Sequence, residues 1–167
     1  WKAWLAERAA AAGDRPLRLL DVACGSGKFP TALIEHAGVG EAGLGVIDYD
    51  LLDPSAFSVA EAKSALRPPF RPAGEHVCTL QDFAGPSGTY DVVWATHALY
   101  ALPHDELEAG LARFADALAP GGAGFIGSNL ANRLASDNDV TAVDDLYLGD
   151  PNNLVDDVEF VEASVLD

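Results

Sequence analysis

The chain has no methionine, two cysteines and ten lysine and arginine residues in a length of 167. Each shortage excludes something. Binding to nucleic-acid phosphates or an anionic membrane rests largely on Lys and Arg contacts, and the few cations here form no cluster. Twenty-six acids bring the formal charge to −16 and add repulsion, so neither nucleic acid nor membrane is an expected partner. Cys24 and Cys78 stand 54 positions apart without metal-ligand spacing and read as two reduced thiols. No cluster of His, Cys and carboxylate suggests a metal. No apolar stretch reaches membrane-spanning length and no charged-then-apolar leader opens the chain, so a cytoplasmic location is expected. The missing Met, at position 1 included, implies a trimmed domain or absent flanking segments.

What is present points to a folded domain. Hydrophobic residues make up 49% of the chain, enough for one domain over residues 1–167 with a substantial core. The organising stretch is Leu19-Leu20-Asp21-Val22-Ala23-Cys24-Gly25-Ser26-Gly27. An apolar run ends in an acid and two closely spaced glycines, and Lys28 to His36 reads as helix. That is a buried parallel strand feeding a tight turn at a helix N-terminus. Gly25 and Gly27 either let a ligand approach bare backbone or give the turn its positive φ. Free amides at the helix start favour polar or anionic ligand atoms.

Two uses of such a turn fail on spacing. A phosphate-binding P-loop needs G-x-x-x-x-G-K-[ST]; Gly27-Lys28 supplies the GK, but Val22 replaces the first glycine and Phe29 follows the lysine. A dinucleotide fingerprint needs G-x-G-x-x-G, and Pro30 stands where the third glycine of this turn belongs.

Along the chain, Trp1 to Ala12 reads as a packing helix and Leu17 to Val22 as the first strand. Val46 to Leu52 alternates as the second strand, and Phe57 to Leu66 reads as helix. Arg67 to Gly74 reads as a Pro-rich loop, His76 to Leu80 as the third strand and Tyr90 to Ala95 as the fourth. His104 to Leu118 is an amphipathic helix stopped by Pro120-Gly121-Gly122, with a fifth strand over Ala123 to Gly127. Beyond Ser128, Asn129 to Ala135 reads as helical, Asp137 to Asp157 as acidic and irregular, and Val158 to Leu166 as one last strand. The alternation implies an α/β fold, a Rossmann-like open and mostly parallel sheet with helices on both faces.

The acid-x-Ala-Cys-Gly-x-Gly turn resembles the first motif of class I S-adenosylmethionine (SAM) dependent methyltransferases. Asp53-Pro54-Ser55 resembles the family's acid-x-Ser end of the second strand, and Gln81-Asp82-Phe83 its acid after the third. Leu118-Ala119-Pro120-Gly121-Gly122 before a strand is also similar, and the resemblance covers roughly residues 17–128. It implies SAM as cofactor, held around Asp21, Ala23, Cys24, Gly25, Gly27 and Thr96. A carboxylate at the second strand's end then takes the ribose hydroxyls. Asp53 is favoured, with Asp50 and Asp48 competing. Asp82 would accept from the adenine amino group and Phe83 would pack on the ring. The family closes its sheet with an antiparallel pair. Only one strand remains for it here, so residues 129–167 are expected to be shortened or atypical.

The motif [DN]-P-P-[YF] of enzymes that methylate nucleic-acid amines is replaced by Ala95-Thr96-His97-Ala98. Asp-Pro-Ser and His97-Ala98-Leu99-Tyr100 loosely resemble histamine N-methyltransferase and related small-molecule enzymes. The expected function is methyl transfer from SAM to a small-molecule N, O or C acceptor. The alternative is a catalytically inactive SAM-binding-fold partner or regulatory protein. His97, just past the fourth strand, is either a general base or a helix-start residue with a structural role.

Overall fold

β-Branched and leucine-rich runs build the centre of the computed structural model, which describes residues 1–95, 106–125, 135, 139–144 and 154–162. β1 (Leu17–Val22) and β2 (Ile47–Leu52) pair in parallel from Leu17↔Ile47 to Val22↔Leu52. β4 (Tyr90–Trp94) flanks β1 on its other side, with Leu19 opposite Val92. β3 (Phe70–His76) and β5 (Leu118–Phe125) form the edges, giving the all-parallel order β3-β2-β1-β4-β5. The direction of winding reverses between β1 and β4. That is the place where open α/β sheets receive ligands, outside the carboxyl ends of the strands.

Alternation along the strands divides the core in two. Leu19, Tyr49, Leu51 and Trp94 pack against α1 (Lys2–Ala12), α2 (Lys28–Glu35) and α3 (Ala56–Ala65) through Leu5, Leu33, Val59 and Ala62. Leu20, Val22, Leu52 and Val93 face the opposite way, onto Phe114 and Ala117 of α4 (Leu107–Ala117). Each fully buried Leu or Val stabilises the fold by roughly 1.5–3 kcal/mol relative to exposure. The strands, buried on both faces, therefore supply most of the sheet's driving force.

Three expectations need correction. The third strand is Phe70–His76, not His76 to Leu80. Pro68, Pro69, Pro72 and Gly74 make that stretch read as loop, but β3 is an edge strand, where a residue without an N–H is tolerated. The fifth strand begins at Leu118 and contains the Pro-Gly-Gly that reads as a helix stop. Its register slips there, so that Ala119 to Gly122 lie opposite Asp91 alone. Finally, Val140–Asp144 inside the supposedly irregular acidic segment is a strand, β6, which pairs with β7 (Val158–Glu162). The two are parallel and form a separate two-stranded sheet, not the antiparallel closing pair of the resemblance.

Candidate functional site

The glycine turn sits at the carboxyl edge of the sheet. β1 ends at Val22, and Ala23 follows with φ 57°, a left-handed conformation that an L side chain adopts only at a cost. The Cys24 N–H donates to the Leu52 carbonyl at 3.0 Å, which ties the turn to the end of β2. The Gly27 N–H donates back to the Cys24 carbonyl at 3.1 Å and closes the loop. Gly27 then caps α2 in the left-handed region.

The two glycines serve different ends. A Cβ on Gly25, at φ +52°, would meet nothing within 4 Å, so this backbone faces open space. A Cβ on Gly27 would lie 2.9 Å from the Cα of Ala62. Gly27 is therefore required by the close passage of the loop over α3, and Gly25 leaves a bare face.

Asp53 lies one residue past β2 and reaches this loop. One carboxylate oxygen accepts the Gly25 N–H at 3.1 Å, and the other accepts the Ser55 N–H at 2.8 Å. Ser55 in turn caps α3, its hydroxyl accepting from the Ser58 N–H at 3.2 Å. The competing acids point elsewhere. Asp48 pairs with Arg71 at 2.8 Å. Asp50 is buried and accepts from the Tyr90 hydroxyl at 2.7 Å, with His76 Nε2 at 3.2 Å. Burial raises the Asp50 pKa, but the bonds to His76 and Tyr90 outweigh it and hold the group below its ordinary value. Gly74 opposite has no side chain to spare, since a Cβ there would sit 2.6 Å from the Asp50 carboxylate.

Asp21 is buried beneath the loop, on the α1–α3 side of the sheet. One oxygen accepts the Tyr49 hydroxyl at 2.7 Å. Among the described residues, neither its Oδ1 nor the Trp94 indole nitrogen has a hydrogen-bond partner. Burial pushes the carboxyl up to about 7; the Tyr49 hydroxyl opposes this, and the Asp53 charge adds to it. Cys24 is also pushed up, to about 12, by burial and then by the charges of Asp21 and Asp53. It is a neutral thiol, not a nucleophile.

The other expected residues are spread more widely. Asp82 lies in the loop six positions beyond β3, where Thr79 donates to its carboxylate at 2.9 Å. Phe83 is in the core, 5.0 Å from the His76 ring in a T-shaped contact, and only 4% exposed. Thr96 and His97 lie outside the described residues. Tyr49 and His76, which fix the buried acids, escape sequence reasoning: an aromatic at an alternating strand position reads simply as core.

A Rossmann-like sheet with an acid-flanked glycine turn at its switch point defines a nucleoside-binding α/β class. The chain belongs to the methyltransferase domain family, whose model matches residues 19–122, more than half its length. Among solved structures it is similar to SAM-bound CalS10, an amino pentose methyltransferase from Micromonospora echinaspora (26% identity, 72% of this chain, 46% of that chain, TM-score 0.47). It is also similar to the sugar N-methyltransferase KedS8 from Streptoalloteichus (24% identity, 72% of this chain, 44% of that chain, TM-score 0.48). A curated protein of Methanocaldococcus jannaschii, named as a candidate UDP-glucose 4-epimerase, is 45% identical over 51 residues, 30% of this chain and 17% of that one. The chain thus spans about half the length of these solved structures and a smaller share of the curated relative. Among the described residues no helix is long and apolar enough to cross a membrane, and no group of His, Cys and acids could hold a metal.

Proposed function

We propose that the domain binds SAM at the Ala23–Gly27 turn and transfers its methyl group to a small-molecule N, O or C acceptor. The observation that carries this reading is the Asp53 carboxylate on the Gly25 N–H, beside backbone that faces open space. The Asp53 carboxylate at the turn repels a phosphate and favours cationic groups and hydroxyl donors. SAM offers a sulfonium, an ammonium and a ribose diol, and when bound it supplies a methyl group on a good leaving group.

The chain's own contribution is largely placement. Each Asp53 oxygen accepts one backbone amide and keeps a further acceptor position for a ribose hydroxyl. Gly25 leaves room for close approach. Asp21 acts from beneath, its hydrogen bond to Tyr49 fixing the strand end from which the turn springs. Asp82 is the candidate acceptor for an adenine amino group. Phe83, buried against His76, backs the loop that carries it. His97 is the candidate base for an acceptor that must lose a proton; holding nucleophile and methyl in line supplies much of the remaining acceleration.

Calorimetry with SAM and S-adenosylhomocysteine tests binding, and a screen of small amines, phenols and sugars for S-adenosylhomocysteine release tests transfer. Millimolar SAM without any heat of binding to folded protein overturns the reading. Tight binding without turnover of any acceptor favours instead the inactive partner protein. With an acceptor in hand, His97→Ala is expected to slow turnover about 10²–10⁴-fold with SAM affinity unchanged.

A further inference from the structure

The glycine spacing that the Asp21 turn lacks occurs elsewhere in the chain. Gly122-Ala123-Gly124-Phe125-Ile126-Gly127 reads G-x-G-x-x-G. In a dinucleotide site the first glycine permits a tight turn, the second lets backbone approach a diphosphate, and the third packs a helix on its strand. Six residues of this kind carry little by themselves, so the surroundings decide.

Three surroundings agree. First, β5 runs parallel to β4 into the pattern and ends at Phe125, between the second and third glycines, at the carboxyl edge of the sheet. Gly122 closes the irregular Ala119–Gly122 stretch, and Gly124 lies opposite Val93. Second, an acid is required about twenty residues on, at the end of the next strand, to take ribose hydroxyls. Asp144 is twenty positions beyond Gly124 and is the last residue of β6. Third, β6 and β7 pair in parallel without a slip, Val140↔Val158 through Asp144↔Glu162. Parallel neighbours need a crossover connection, as in a βαβ unit, and residues 145–157 provide its length. The family match stops at residue 122, where this pattern begins. The methyltransferase assignment therefore leaves the strands β6 and β7 unaccounted for.

We propose that the end of β5 together with β6 forms a second nucleotide site, separate from the Asp21 turn, for a dinucleotide of the NAD type. The diphosphate lies against backbone at Gly122 and Gly124, and Asp144 receives the adenosine ribose hydroxyls. From Ala119 onward the sequence has a single cation, Arg133, so the diphosphate is held by backbone amides. An acid at Asp144 repels a 2′-phosphate, so NAD⁺ is preferred over NADP⁺.

The test is calorimetry of the whole chain with NAD⁺, alone and with saturating SAM. NAD⁺ is expected to bind in both, and NADP⁺ about tenfold or more weaker. Asp144→Asn is expected to weaken NAD⁺ by about tenfold or more while leaving SAM affinity unchanged. Gly124→Val should do the same, with circular dichroism confirming the fold. Because that variant sits inside β5, Asp144→Asn carries the decision. Folded protein that takes up no NAD⁺ at millimolar concentration overturns the proposal, as does competition between NAD⁺ and SAM or an unchanged affinity in Asp144→Asn. NAD⁺ bound by a chain that does not bind SAM supports this site and overturns the SAM reading instead.

Discussion

The carboxylate of Asp53 accepts the backbone N–H of Gly25 at 3.1 Å, across 28 positions of sequence. This bond joins the end of β2 to the turn after β1, and the Cys24 N–H on the Leu52 carbonyl reinforces it. The turn is thereby held by two strands, with an acid at its open side.

Asp53→Ala should weaken SAM binding by roughly 1–3 kcal/mol, the scale of lost charge-assisted hydrogen bonds. Asp50→Ala should leave SAM affinity nearly unchanged and instead destabilise the fold by about 1–3 kcal/mol, because the buried Tyr90 hydroxyl loses its acceptor. Calorimetry and urea unfolding on both variants separate the two roles. A larger loss of SAM affinity in Asp50→Ala would move the ribose acid off Asp53.

The glycines should divide in the same way. In Gly27→Ala the new methyl meets the Ala62 backbone at 2.9 Å, so melting temperature falls with or without ligand. Gly25→Ala meets open space and pays only the left-handed backbone cost of about 1 kcal/mol. Its main effect should be on SAM affinity. Thermal unfolding with and without SAM reads both, and equal melting temperatures for the two variants would contradict this division.

Asp21 gives the stability a pH dependence. The carboxyl has a pKa of about 7 in the fold against an ordinary 3.8. Between those values the folded chain holds a proton that the unfolded chain has released, so stability falls as pH rises. The contribution is fully present below pH 3.8 and is lost by about pH 7, at roughly 1.4 kcal/mol per pH unit and up to about 4 kcal/mol in all. Asp21→Asn should flatten the profile from pH 4 to 7 and be the more stable protein at pH 8, since an amide oxygen still accepts from Tyr49. Urea unfolding across that range gives the slopes, and parallel profiles would exclude Asp21 as their source.

Ala23→Gly should relieve the left-handed strain at the start of the turn, where φ is 57°. An increase in unfolding free energy of about 0.5–1 kcal/mol is expected, the gain being reduced by the greater freedom of glycine in the unfolded chain. Denaturant melts of the two proteins side by side are sufficient to detect it.

Much of the fold is legible in the sequence because the signals are local. The run Leu17–Val22 followed by Gly25 and Gly27 can scarcely be read other than as strand and turn. Ser55 likewise marks a helix start through hydrogen bonds within a few residues of itself. The misplaced β3 shows the limit. Pro72 inside it and Pro68-Pro69 just before it argue against a strand until the sheet order puts it at an edge, and no residue within Phe70–His76 announces that position.

The sequence by itself determined an acid-rich α/β chain with a glycine turn after its first strand, and it offered three acids at the second. Tertiary structure decided among them. Alternation turns Asp50 into the core toward Tyr90, Asp48 pairs with Arg71, and only Asp53, past the strand end, reaches Gly25. It also separated the glycines, since the need for Gly27 comes from Ala62 on another helix. Backbone sterics and capping act between near neighbours and are written in short stretches of sequence. Which face a strand side chain meets, and what packs across it, depends on neighbours tens of residues away.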